Sequence, residues 1–224
     1  MKTRLLMAGL LVFGGWQIGH GGYLLAKAEL AQYLLEQAWK EMRLHVQESF
    51  NSYKPVSPWP WADTYPLAKL HWQSLDQSLI VLAGASGRNL AFGPAHLSAS
   101  VSPGDQGVSV IGGHRDTHFA FLQQVVVGDQ FDVELINGVI HRFQVKEISI
   151  TDVRKSRIAL DSNESKIALV ACYPFSDWQP GGALRYLVLA ERISSKLLVS
   201  GEKTYGKVEQ VPPTSLQMKT TMSL

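Results

Sequence analysis

The sequence contains little cysteine and no marked excess of either charge. Cys172 is the only cysteine among 224 residues, which excludes an internal disulfide framework and a zinc site built on paired cysteines. The formal net charge is +2, and no cluster of lysine or arginine interrupts the balance of 21 basic and 19 acidic residues. Nucleic-acid binding, which depends on a basic surface, therefore has no electrostatic support. We predict no metal site, no cofactor and no nucleic-acid partner.

Charge is also scarce near the N-terminus. Lys2 and Arg4 precede residues 5–26, a segment interrupted by only two strongly polar side chains. About 20 apolar residues cross a bilayer as a helix, and basic residues before them favour a cytoplasmic N-terminus. This pattern predicts an uncleaved signal anchor over residues 1–26, a single pass through the inner membrane, and an extracytoplasmic (periplasmic) location for the remaining chain. A cleaved signal peptide is the alternative, because "AKA" at 26–28 resembles a cleavage site.

A helix is predicted to continue over residues 27–50. Apolar residues recur there at helical spacing, at Leu24, Ala28, Ala31, Leu35, Ala38 and Met42. The pattern fits a stalk or partner-binding face, and equally a helix packed against its own domain or lying at the lipid surface. Residues 51–66 contain four prolines, which predicts an extended linker. We expect Trp59 and Trp61 in this linker to lie against the domain, because exposed indoles are costly.

From residue 67 to residue 200 the pattern changes to short apolar runs between turns. Runs such as "SLIVLAGA", "GVSVIGG", "DQFDVELI" and "SKIALVAC" are rich in β-branched and aromatic residues, and Asn137-Gly138 is a hairpin signal between two of them. Only "HFAFLQQVVV" suggests a helix. About seven strands at this spacing predict an all-β barrel or sandwich. Residues 201–224 are polar and lack periodicity, and we interpret them as a tail.

Three residue types in this domain carry possible chemistry. Cys172 ends the apolar run "IALVAC", His114 follows the glycine pair that ends "VIGG", and Arg185 interrupts the apolar run "LRYLVLA". A thiol is a strong nucleophile only as thiolate, so a cysteine enzyme supplies a base or a positive charge beside it. Taken singly, each residue also has an ordinary structural explanation: a buried small side chain, a surface imidazole and an outward-facing arginine.

The sequences of these segments resemble those of the sortase family of cysteine transpeptidases. The motifs are "GHRDTHF", "LVACYPF" and the arginine of "LRYLVLAE", and the similarity covers residues 67 to 198. The pattern is most similar to the class D-like, membrane-anchored sortases of Gram-negative bacteria. The resemblance implies an all-β fold with an eight-stranded β-barrel and short helices.

The resemblance also implies a reaction in two steps. Cys172 attacks the threonine–glycine bond of an LPxTG-like C-terminal sorting signal on a substrate protein, and a thioester acyl-enzyme forms. His114 protonates the departing amine and then deprotonates the incoming amine acceptor, or water. Arg185 hydrogen-bonds the substrate backbone or the oxyanion, a contribution of roughly 3–4 kcal/mol. The chain is thus expected to be a thiol-dependent hydrolase-class enzyme. The alternative is a tethered β-barrel that binds a peptide without catalysis.

Further residues near the two motifs are candidates for substrate contact. These are Thr117, Ala171, Tyr173 and Pro174. The family usually has threonine before the cysteine and often three residues earlier, whereas this chain has alanine at both places, Ala171 and Ala168. We therefore expect the geometry of substrate binding to differ.

The remaining histidines and their neighbours are given structural roles. Asp116, Thr117 and His118 follow the candidate catalytic histidine, and we interpret them mainly as residues that order the loop. His71 and His96 are expected to be structural.

Overall fold

The computed structural model describes residues 2–48, 55–177 and 181–193. A long helix precedes eight strands, with short helical turns between them. The elements are α1 (Lys2–Glu48), β1 (Pro66–Trp72), a 3₁₀ turn (Gln73–Leu75), β2 (Gln77–Ala83), α2 (Gly87–Leu90), β3 (Ala95–His96), β4 (Gly107–Gly113), a second 3₁₀ turn (Ala120–Gln124), β5 (Gln130–Leu135), β6 (Ile140–Asp152), β7 (Ser165–Cys172) and β8 (Leu184–Arg192).

The strands form one closed barrel in the order β1-β2-β3-β4-β7-β8-β6-β5, which confirms the predicted eight-stranded all-β fold. β4 and β7 pair in parallel, whereas β7 and β8 pair antiparallel. β5 and β6 form the predicted hairpin, and its turn contains Gly138 at a φ of 82°. A turn at positive φ is available to glycine without steric cost, which is why the Asn-Gly signal locates it correctly.

Aromatic side chains fill the barrel interior. Trp72 stacks on Phe131 with ring centroids 4.5 Å apart, and Phe131 stacks on Phe143 at 5.7 Å. Phe119 and Phe121, from the segment predicted as a helix, close one side of this core. The segment itself is only a short 3₁₀ turn, which ends before three consecutive β-branched valines of low helix propensity.

The helix α1 packs its C-terminal half against the outside of the barrel. Its buried residues are Ala31, Leu35, Ala38, Trp39 and Met42. Leu35 and Trp39 contact Ile80 and Leu82 of β2. Glu36 pairs with Lys69 at 2.6 Å, and Arg43 pairs with Glu134. Of the explanations left open for this helix, packing against its own domain is the one observed for this half.

The predicted membrane placement is wrong. Within the described residues, no helix combines the length and the apolar content that a bilayer crossing requires. The physical reason lies in the composition of α1: five glycines between residues 14 and 22, together with Gln17 and His20, dilute the apolar run that follows Lys2 and Arg4. The predictions of a signal anchor over residues 1–26, of a single-pass inner-membrane location and of a periplasmic catalytic domain are therefore wrong.

The linker and tail are described only in part. Residues 51–54 of the predicted linker and the tail 201–224 lie outside the described residues. Trp59 packs edge-on against Phe92 with centroids 4.7 Å apart, as expected. Trp61 is 79% exposed, so the same expectation is wrong for this second indole.

Candidate active site

The strand register brings the three candidate catalytic residues into one row. Gly113 at the end of β4 pairs with Ala171 of β7, so the next residues along these parallel strands are His114 and Cys172. Cys172 in turn pairs with Arg185 of β8. Neighbouring strands lie about 4.8 Å apart. The thiol is therefore flanked by the histidine position on one side and the arginine position on the other.

This row belongs to the outer face of the barrel. Ala171 is 1% exposed and lies in the barrel core, and its partner Tyr186 packs against the same core. Side chains alternate between the two faces of a strand. Cys172 and Arg185, one residue further along, therefore lie on the opposite face to Ala171 and Tyr186. Outside the barrel they are open to a substrate.

A groove of about 630 Å³ runs along this outer face and includes Arg185. Its floor consists of apolar residues from three strands, namely Val108, Val110, Val170, Leu187 and Leu189. The segment between β6 and β7, residues 156–162, forms the opposite wall. Ile158 and Leu160 of this wall pack against the floor. The groove can accept an extended chain whose side chains are mainly apolar.

The three side chains differ in exposure. Cys172 is a half-buried free thiol, and His114 is exposed. Arg185 is half-buried, and its Nη1 donates hydrogen bonds of 2.9 Å to the carbonyl oxygens of Gly182 and Leu184. The nucleophile is thus held by its strand and still reachable, as a catalytic thiol must be.

Close packing fixes the backbone where β4 delivers His114. A side chain at Gly113 would place its Cβ 2.6 Å from two ring atoms of Phe119, so only glycine fits there. The Phe119 amide donates to the His114 carbonyl at 2.9 Å and closes the loop over residues 114–119. Steric contact with Phe119 thus explains why the second residue of the glycine pair, Gly113, is glycine.

The second histidine of the motif has a different environment. His118 is half-buried, and desolvation lowers its pKa below the ordinary 6.5; the neighbouring His114 lowers it further, whereas a hydrogen bond to the Ala91 backbone and the charge of Asp116 raise it. The hydrogen bond ties the loop to the end of α2. Thr117 is exposed, and its carbonyl accepts a hydrogen bond from Ala120 at 3.1 Å. These contacts are of the loop-ordering kind.

Tyr173 and Pro174 follow the thiol and turn the chain away from it. Tyr173 stacks on Tyr186 with centroids 6.2 Å apart, and its amide donates to the Leu184 carbonyl at 3.1 Å. Burial and the neighbouring Tyr173 raise the pKa of Tyr186. The side chain of Ala171 lies in the barrel core, and Ala171 is not among the residues that line the groove.

The other two histidines have structural partners. His96 is buried and bonds the Val101 carbonyl at 2.8 Å, and His71 contacts Glu134 at 3.2 Å.

The sequence interpretation missed the groove floor and the residue next to His114. The floor could have been inferred from the alternation of side chains along a strand. Val170 lies two residues before Cys172, and Leu187 lies two residues after Arg185, so each shares a face with its catalytic candidate. Arg115 is only 7% exposed, and nothing in the motif distinguishes it from a surface loop arginine.

A family model described as the sortase domain matches residues 70–193. A curated relative, Sortase D of Bacillus subtilis, is 28% identical over 120 residues, which is 54% of this chain. The matched region spans 60% of the length of that relative.

Solved structures show the same fold. A Clostridium perfringens Sortase D5 transpeptidase superposes with a TM-score of 0.59 at 19% identity, over 74% of this chain and 99% of that one. Sortase A from Corynebacterium diphtheriae superposes with a TM-score of 0.53 at 23% identity, over 73% and 84%.

Proposed function

The chain belongs to the sortase family, and from this we propose that it is a cysteine transpeptidase acting on an LPxTG-like C-terminal sorting signal. The observation that supports this most directly is the row His114, Cys172 and Arg185 on the outer face, in which Arg185 also lines the groove. The 28% sequence identity to Sortase D of Bacillus subtilis supports our assignment to the class D-like branch. A Gram-negative source stays a prediction.

In the proposed first step the Cys172 thiol gives its proton to His114, and its sulfur attacks the carbonyl carbon of the threonine–glycine bond. The carbonyl oxygen becomes an oxyanion, and the Arg185 guanidinium donates hydrogen bonds to it. The carbon–nitrogen bond then breaks, His114 gives a proton to the leaving amine, and a thioester remains. Splitting acyl transfer in this way replaces one difficult step by two easier ones.

In the second step an amine acceptor attacks the thioester. His114 accepts the proton that this amine loses, and the sulfur leaves as thiolate. Water can take the place of the amine, in which case the product is a carboxylic acid. The apolar groove supports the residues of the sorting signal that precede the scissile bond.

Arg185 can reach an oxyanion without losing its own contacts. Its Nη1 bonds the carbonyl oxygens of Gly182 and Leu184, which leaves Nη2 and Nε to donate to the substrate. Arginine suits this double role because its guanidinium carries five N–H donors and keeps its charge. Arg185→Lys is expected to depress turnover strongly although it preserves the charge.

The test is mass spectrometry of the intact protein after incubation with an LPxTG-like peptide. We expect wild-type protein to gain the mass of the acyl fragment, and Cys172→Ala to gain none. Ser176→Ala, an exposed change in the same loop, is the control and should behave as wild type. An adduct on Cys172→Ala equal to that of wild type would remove the thiol from the mechanism.

Adding a small primary amine separates the two fates of the thioester. Amide product indicates transpeptidation, and acid product indicates hydrolysis. Peptide binding by the wild type without any adduct would instead support a non-catalytic peptide-binding module.

A further inference from the structure

Arg115, the residue after His114, is an unusual buried charge. Only 7% of its surface is exposed, although both its neighbours, His114 and Asp116, are exposed. Arginine is almost never buried to this extent without partners, because removing a guanidinium from water is costly. The burial therefore indicates a specific contact.

That contact joins two loops. Arg115 Nη2 donates a hydrogen bond of 2.6 Å to the backbone carbonyl of Asp177. Asp177 lies in the segment that leaves β7 immediately after Cys172, and its amide bonds the Pro174 carbonyl at 3.3 Å. A hydrogen bond from a charged donor is about twice as strong as a neutral one. The loop that carries the imidazole is thus tied to the loop that follows the thiol.

We propose that Arg115 is a positioning residue that holds His114 in register with Cys172. The strands fix the two residues only up to Gly113 and Cys172, because His114 lies just beyond β4. Beyond that point the described contacts are the packing of Phe119 against Gly113, the bond between the Phe119 amide and the His114 carbonyl, the hydrogen bond between His118 and the Ala91 backbone, and the Arg115 bond. Of these contacts, only the last reaches across to the loop after the thiol.

This inference rests on the proposed function for its kinetic consequence. A shift of about 1 Å in a catalytic group can cost about 100-fold in rate. Arg115→Met removes the donors while keeping an apolar side chain of similar length. We expect kcat on an LPxTG-like peptide to fall at least about tenfold, with KM within about twofold, because the groove is untouched. Arg115→Lys, which keeps a charged donor, should recover part of the loss.

A second measurement does not depend on activity. Amide hydrogen exchange at Phe119 reports whether the loop over residues 114–119 stays closed, since this amide bonds the His114 carbonyl. Arg115→Met should speed exchange at Phe119 and leave Ile111, within β4, unchanged. The control is Arg142→Met, which removes a two-point pairing with Asp132 between β5 and β6, away from the proposed site.

The outcomes separate the two proposals. Unchanged kcat in Arg115→Met, unchanged Phe119 exchange, or a kcat loss equal to that of Arg142→Met would each overturn the positioning role. If wild-type protein forms no adduct at all, the proposed function fails. Phe119 exchange then still decides whether Arg115 holds the loop.

Discussion

Substitution of Gly113 by alanine should destabilise the barrel through one contact. The added Cβ would lie 2.6 Å from two ring atoms of Phe119 and 2.9 Å from a third. Carbon atoms pack at about 3.5–4.0 Å, so the ring or the strand end must move by about 1 Å. Phe119 is 0% exposed in the barrel core and has little room to yield.

Overpacking of this kind costs about 1–3 kcal/mol in the free energy of unfolding. With a urea dependence of about 2 kcal/mol per M, the unfolding midpoint should fall by about 1 M. Because His114 follows directly, turnover on an LPxTG-like peptide should fall by up to about 100-fold. The assay is urea unfolding followed by circular dichroism, with turnover measured on the folded protein.

Gly112→Ala is the matched control. A Cβ there would lie 3.8 Å from the nearest side-chain atom, Leu90 Cδ2, which is an ordinary contact. Its free energy of unfolding should stay within about 0.5 kcal/mol of the wild-type value. Adding Phe119→Leu to Gly113→Ala should restore part of the lost stability, beyond additivity. Equal midpoints for the two glycine variants would refute the steric argument.

Three further predictions concern other parts of the molecule. Leu35→Ala should lower the free energy of unfolding by about 2–5 kcal/mol, because Leu35 is 0% exposed between α1 and the barrel. The control Leu30→Ala, at a residue 55% exposed, should lower it by under about 0.5 kcal/mol. Similar losses in denaturant unfolding of the two variants would contradict the packing of α1. Arg154 hydrogen-bonds Asp152 and lowers the pKa of that carboxyl to about 2, so Arg154→Gln should raise the Asp152 pKa towards 3.8 in an NMR titration, and an unchanged value would exclude the pairing. Burial lowers the pKa of His118 below 6.5, so its neutral form contributes stability that is complete above pH 6.5 and is lost as the pH falls below that value. His118→Gln should flatten the dependence of unfolding free energy on pH in that range. An NMR titration that gives His118 a pKa at or above 6.5 would contradict the prediction.

The strands were predictable because their signals are local. Alternating apolar runs and an Asn-Gly turn identify β5 and β6, and the apolar runs before Gly112 and Cys172 identify β4 and β7. The row of candidate residues was not predictable from spacing alone, because it depends on which strands pair and in which register. The resemblance of the motifs to a known family was therefore the basis for grouping these residues in one site.

Two predictions failed, one because of the composition of a segment and the other because of the surroundings of a side chain. Residues 5–26 have few charges, and the effect of their glycines outweighs that signal. Trp59 found an aromatic partner and Trp61 did not, although both have the same side chain and similar neighbours in the chain. The burial of Arg115 likewise depends on Asp177, which is distant in the sequence.

The pairing of β4 with β7 is parallel, as is the short pairing of β2 with β3, whereas the other described strand pairs of the barrel are antiparallel. Two strands that run side by side in the same direction finish at the same rim, so the imidazole and the thiol emerge together. The whole β5–β6 hairpin lies between them in the chain without contributing to that meeting. Lengthening the tip at Asn137-Gly138 should therefore leave the spacing of the reacting groups unaltered, and this tip is a suitable point for attaching a reporter domain.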